Sequence, residues 1–200
     1  MLGNVKEMVH VQRLACALRR VLPRKGRTLI AVDGVDGSGK TPLAIGLAEC
    51  SRATVVSIDR FLNRNRGVYI RNIRLRQLRR AITWRSGPVL IEGVCVRAVL
   101  TRLRLRAFRH IYVKAINNEQ GSWSDEPDCE FDEDIEVFLE RETLRLVDAD
   151  ITPFREEVIR YHASFCPSRR ADYVFLRKTV MPNNSLQRTR RRQHAVEPRR

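Results

Sequence analysis

Between positions 28 and 41 the chain reads TLIAVDGVDGSGKT: an unbroken apolar run, Leu29 to Val32, enters a loop carrying Gly34, Gly37 and Gly39 and closing on Lys40 and Thr41. A short, continuously apolar run bounded by glycine is the pattern of a strand buried on both faces, and the LAIGLAEC that follows spaces its apolar residues as a helix does. Glycines take backbone angles that a Cβ forbids, so successive N–H groups can turn inward and form a concave anion nest. Gly34 and Gly39 stand with four residues between them and are followed by Lys and Thr, the spacing of a loop that wraps a nucleotide's phosphates. The candidate phosphate-binding residues are therefore Gly34, Val35, Asp36, Gly37, Ser38, Gly39, Lys40, Thr41 and Pro42. Lys40 supplies a mobile cation for the β- and γ-phosphates, and the Thr41 hydroxyl is a candidate ligand for Mg²⁺. Pro42 lacks a backbone donor, but within the first turn of a helix that donor has no helical acceptor to lose.

Strand and helix patterns alternate through the rest of the chain. Helices are expected over 5–22, 40–50, 71–84, 94–105, 134–147 and 153–165, and strands over 29–32, 53–58, 89–91, 110–113 and 172–176, with a polar loop at 60–67. Such alternation implies an α/β protein with a mainly parallel sheet of about five strands and helices on both faces, and the glycine loop ending in Lys40 and Thr41 makes the expected fold that of a P-loop NTPase. In such sheets ligands bind beyond the carboxyl ends of the strands, where Gly34, Asp59 and Glu92 would converge.

Two hundred residues, 43% of them apolar, suit one domain, and no stretch is long and apolar enough to span a membrane. Five cysteines without paired spacing argue against zinc or a disulfide framework and fit reduced thiols in a cytoplasm. The formal charge of +15 is unevenly spread. From Arg177 onward there are eight Lys or Arg against Glu197 alone, and the segment 177–200 is expected to be a disordered basic tail behind a domain spanning 1–176. A nucleic-acid-binding arm is one reading of that tail, and an inert extension the favoured one. Residues 60–85 hold nine Arg and no acid, whereas 125–142 hold ten Asp or Glu and one Arg. These blocks either pair or lie solvated, or the arginines line a phosphate cleft.

Beyond the phosphate loop GVDGSGKT, the chain contains VVSIDRF with Asp59 and Phe61, then VLIEGV with Glu92 and Gly93, then RYHASFCPSRRADYVF with Ala171 and Asp172. In order and rough spacing, across about residues 28–176, these resemble the uridine kinases and their phosphoribulokinase-like relatives. Two positions depart from that pattern: Pro42 replaces a second Ser or Thr, and Leu62 replaces a Tyr. The resemblance implies an ATP-dependent kinase, with GTP as the other donor, phosphorylating a hydroxyl of a nucleoside or other small metabolite. Asp59 matches the family's catalytic Asp, which orients or deprotonates the acceptor hydroxyl; a turn or cap residue is the structural alternative. Glu92 is assigned to the Mg²⁺ shell or its waters, or else to capping. Arg141 and Arg145 lie one helical turn apart and are candidates for a lid that clamps the transferring phosphate, with ion pairs to Glu140, Glu142 or Asp148 as the alternative. Arg60, Arg64 and Arg66 are by default solvated loop charges, and would hold an acceptor phosphate if the substrate is already phosphorylated. His110 and His162 are read as core or surface residues, and Trp84 and Trp123 as packing residues with stacking on a base as the alternative. A nucleoside monophosphate kinase and a nucleic-acid-associated P-loop NTPase are the competing functions.

Overall fold

The computed structural model describes residues 5–23, 26–63, 68–117, 121–123, 125–145 and 151–179. Six strands form a single sheet: β1 (Lys6–Met8), β2 (Leu29–Asp33), β3 (Thr54–Ser57), β4 (Val89–Gly93), β5 (Arg109–Asn117) and β6 (Tyr173–Thr179). Their order across the sheet is β1-β6-β5-β2-β4-β3, and every pairing is parallel. The helices that connect them are α1 (Val11–Val21), α2 (Lys40–Ser51), α3 (Leu75–Thr83), α4 (Val96–Leu103), α5 (Ile135–Arg145) and α6 (Pro153–Phe165).

Alternation along the strands divides the core into two layers. On one face Ile30 and Val32 of β2, Leu90 of β4 and Ile111 and Val113 of β5 pack against Leu14 and Leu18 of α1 and Leu43 and Leu47 of α2. On the other face Leu29, Ala31, Val89, Ile91 and Tyr112 pack against Leu78 and Ile82 of α3, Val96, Val99 and Leu103 of α4 and Tyr161 of α6. Because β2 is central and covered on both sides, all five of its residues are buried, which is why it reads as a continuous apolar run. Outside both layers, Phe138 and Leu139 of α5 make a small cluster with Ile159 of α6.

Several expected elements are redrawn. The helix anticipated over 5–22 is a three-residue strand followed by α1, and β1 raises the strand count to six. Lys6 and Glu7 carry no strand signal of their own; pairing with Tyr173 and Val174 at the sheet edge decides their conformation. The helix expected over 71–84 starts at Leu75, because Ile70–Asn72 forms a 3₁₀ turn and the chain before α3 is pinned by an Arg74 N–H bond to the Phe61 carbonyl at 2.8 Å. The helix of 94–105 is shorter at both ends. β5 continues four residues past Val113, and β6 continues through Arg177 to Thr179. Residues 146–150, 180–200, Arg64 and Arg66 lie outside the described residues.

Candidate active site

The loop joining β2 to α2 is shaped by close contacts as well as by glycine. Gly37 and Gly39 have φ of 73° and 96°, and a Cβ on Gly34 would stand 2.8 Å from both the Val113 carbonyl and Ser38 Oγ. Gly39 caps α2, so the amides of Lys40 and Thr41 open its first turn, where helical N–H groups have no carbonyl within the helix to meet. Pro42 is the third helical residue, and the first helical bond runs from the Leu43 amide to the Gly39 carbonyl at 3.2 Å.

Lys40 is 7% exposed, and its Nζ donates to the Val35 carbonyl at 2.5 Å. Burial draws its ammonium below the usual lysine range, while Asp33, Asp36, Glu92 and Asp59 act in the opposite direction. Four carboxylates from three different segments thus share the field of one ammonium.

Glu92, next to last in β4, is 1% exposed and accepts a hydrogen bond from the Thr41 hydroxyl on Oε2 at 3.1 Å. Its Oε1 is buried without a partner among the described residues. A buried carboxylate oxygen lacking a donor is costly, and a hard cation or one of its waters would relieve that cost. Thr41 and Glu92 therefore fit a Mg²⁺ site, an ion that keeps several waters and needs few protein ligands. Among the described residues no group of three or more His, Cys, Asp or Glu gathers into a metal cage.

Asp59 lies in a 3₁₀ turn, Ile58–Phe61, just beyond β3 and is exposed. The Tyr69 hydroxyl donates to its Oδ1 at 2.6 Å, and Oδ2 has no partner among the described residues. Tyr69 is held in turn by Glu157 of α6, whose carboxylate accepts the Tyr69 amide at 2.6 Å and the Ile70 amide at 3.2 Å. Its ring packs on Phe154, with centroids 5.9 Å apart.

Asp33 ends β2 immediately before the loop. It is 3% exposed; Oδ1 accepts the Gly34 amide at 2.8 Å, and Oδ2 accepts the Tyr161 hydroxyl. Burial raises the Asp33 carboxyl above its ordinary range, and the Tyr161 hydrogen bond only partly offsets that. Alongside, His162 Nδ1–H donates to the Val158 carbonyl at 2.8 Å, leaving Nε2 to accept from the Tyr112 hydroxyl at 2.8 Å. Both histidine and tyrosine serve the packed interior, as does Trp123 against Tyr112.

The structure thus brings together the loop residues, Thr41, Glu92 and Asp59. Arg141 and Arg145 make their described ion pairs within the acidic stretch, Arg141 with Glu133 at 2.7 Å and Arg145 with Glu142 at 3.2 Å. Arg60 is exposed and makes no described ion pair, and exposed Trp84 stacks with Arg80. Asp33, Tyr69, Glu157 and Arg177 are additional residues at or behind the site. Of these, only Asp33 carried a legible signal, an acid closing an otherwise apolar buried run.

An all-parallel sheet with a glycine-rich loop between its central strand and the following helix defines an α/β protein of the P-loop kinase-like fold. Its fold is similar to that of a possible uridine kinase from Bacillus stearothermophilus, at a TM-score of 0.50 and 16% identity over 82% of this chain and 96% of that one. A sugar kinase from Janibacter sp. HTCC2649, in an unliganded structure, matches at a TM-score of 0.35 and 16% identity over 86% of this chain and 96% of its own. No family model matches the sequence, and no curated protein matches it.

Proposed function

We propose that this protein is a Mg²⁺-dependent ATP phosphotransferase that passes the γ-phosphoryl group to a hydroxyl of a nucleoside or another small metabolite. The observation that carries the reading is the convergence of Lys40, the Thr41–Glu92 pair and Asp59 at the carboxyl edge of β2, β4 and β3. A phosphate loop alone serves switches, motors and transporters equally well. An exposed carboxylate fixed by one hydroxyl, with its second oxygen unpartnered among the described residues, adds what acceptor chemistry requires. The word kinase in the description of the Bacillus structure agrees with this reading.

Phosphoryl transfer asks mainly for positioning and charge neutralisation. In this reading Asp59 Oδ2 accepts the acceptor hydroxyl's proton as the new O–P bond forms and the bond to the leaving diphosphate breaks. Lys40 and the amides opening α2 stabilise the charge on the oxygens of the leaving group and the transferred phosphoryl. Mg²⁺, when bound, would neutralise further charge there, and Thr41 and Glu92 are the residues that would hold it. ATP is the proposed donor, and a cytoplasmic setting belongs to the same reading.

The test is incubation with labelled ATP, Mg²⁺ and a panel of nucleosides, nucleotides and sugars. Asp59→Asn is expected to lower transfer by about a hundredfold or more while Mg·ATP affinity stays within about twofold. Lys40→Ala is expected to lose both. Label transfer that survives Lys40→Ala, or full kcat in Asp59→Asn, would overturn the proposal.

A further inference from the structure

β6 runs on to Thr179, and its register places Arg177 opposite Ala115 of β5. From there the side chain crosses to the phosphate loop. A Cβ built on Gly39 would lie 2.5 Å from Arg177 Cδ, 2.7 Å from Nη1 and 2.9 Å from Nε, so the guanidinium occupies the space that a side chain at position 39 would need. Among the described residues the buried Nε atom has no hydrogen-bond partner and no carboxylate pairs with this arginine. A guanidinium has five donors and cannot shed its charge, so leaving it half-buried and unpaired is unfavourable unless something else meets it.

The order of the strands indicates what that is. Glu92 on β4 and Asp59 beyond β3 lie on one side of the loop-bearing strand β2, and Arg177 on β6 lies on the other. On the proposed function Thr41, Glu92 and Asp59 would take the terminal-phosphate end of a bound triphosphate, which leaves the β5–β6 side of Gly39 for its nucleoside end. We propose that Arg177 contacts the donor nucleotide on its nucleoside side, its planar guanidinium lying against the base. This rests on the reading of the loop as a nucleotide site. Arginine suits the position because its flat, weakly hydrated cation stacks on aromatic faces as an ammonium does not.

Calorimetric titration of the full chain with two probes tests the assignment: the Mg²⁺ complex of a non-hydrolysable ATP analogue, and Mg·tripolyphosphate, which lacks the nucleoside. The parent protein should bind the analogue more tightly than tripolyphosphate. Arg177→Met, which keeps an unbranched chain over Gly39, should weaken the analogue by about fivefold or more and leave tripolyphosphate within about twofold. Arg177→Lys, which keeps the charge and most of the packing, should show most of the same selective loss and carries the comparison if the methionine variant unfolds. Unchanged analogue binding in Arg177→Met would overturn the assignment. So would an equal loss for both probes, which would make Arg177 a prop for the loop or a phosphate ligand. A parent protein that binds both probes equally sinks the Arg177 assignment alone, whereas one that binds neither sinks the nucleotide site itself.

Discussion

Tyr69 explains why Glu92 is followed by glycine. A Cβ on Gly93 would come within 3.0 Å of the Tyr69 hydroxyl and 2.9 Å of Ile58 Cδ1, so the glycine makes room for the hydroxyl that holds Asp59. Burial and the adjacent Asp59 carboxylate push the Tyr69 phenol far above its ordinary range, so it stays protonated and remains a donor. Tyr69→Phe removes that donor and keeps the ring against Phe154. Under the proposed function it should lower kcat by about tenfold and leave the KM for ATP unchanged, because Asp59 would lose its orientation while the loop would not. Full kcat in steady-state assays of Tyr69→Phe would take Tyr69 out of the acceptor side. No spacing rule links Tyr69 to Asp59, ten residues earlier, across a 3₁₀ turn and a polar loop; the Asp-x-Phe pattern was legible, but its partner was not.

α6 connects the two halves of the site. Its boundaries, 153–165, agree with the sequence pattern, because Thr152 caps it by accepting the Arg155 amide at 3.2 Å and Pro153 fills the first position, where a missing donor costs nothing. Glu157 and Tyr161 stand one turn apart on one face. The first holds the turn that carries Tyr69, and the second holds Asp33 in front of Gly34. Tyr161→Phe would leave Asp33 Oδ2 buried without its donor, and is expected to cost about 1–3 kcal/mol in urea unfolding. Unchanged stability would mean that Asp33 finds another donor. α5 has a different standing. Among the described residues its buried side chains cluster with Ile159 of α6, and Arg141 and Arg145 are committed to ion pairs near the surface, of the kind worth about 0–1 kcal/mol. Their helical spacing was readable, and so was Glu142 as a partner on the same helix, whereas Glu133, which Arg141 faces, lies in the acidic segment before α5.

Charge is distributed over the whole molecule in an orderly way. The acidic stretch 125–142 is paired chiefly by bases from β5, α6 and the turn after it: Glu130 with Lys114 and Arg169, Asp128 and Glu142 with Arg155, and Glu136 with Arg160. The arginine-rich stretch 60–85 takes no part in these pairs, and Arg74 and Arg79 instead donate to backbone carbonyls. The histidines set the expected pH response. Burial, with Arg97 adding to it, lowers His110 to about 4, and burial lowers His162 as well. Both are therefore neutral in the folded chain, while the unfolded chain takes up their protons near pH 6.5. The stability tied to their neutral forms is complete above about pH 6.5 and declines as the pH falls below it; for His110 the decline runs down to about pH 4 and amounts to at most about 3 kcal/mol. Asp33 acts with the opposite sign, since its raised carboxyl favours the folded state on acidification. Urea unfolding at pH 7 and pH 4.5 should show lower stability at the acid value, with a smaller drop in His110→Asn; equal drops would remove His110 as a cause.

The phosphate loop, the buried β2, the parallel α/β architecture and the strand-end acids Asp59 and Glu92 were all readable in the chain, because each depends on requirements met by neighbouring residues. Glycine supplies particular backbone angles, a twice-covered strand is apolar throughout, and helices show a short repeat. Tertiary structure alone decided that residues 6–8 form a strand, that Tyr69 holds Asp59, that Glu157 reaches amides 87 and 88 residues away, and that Arg177 lies across Gly39. These are pairings between distant segments, which no local pattern encodes. They come into being only when the sheet order brings the carboxyl edges of β6, β2, β4 and β3 together around one loop.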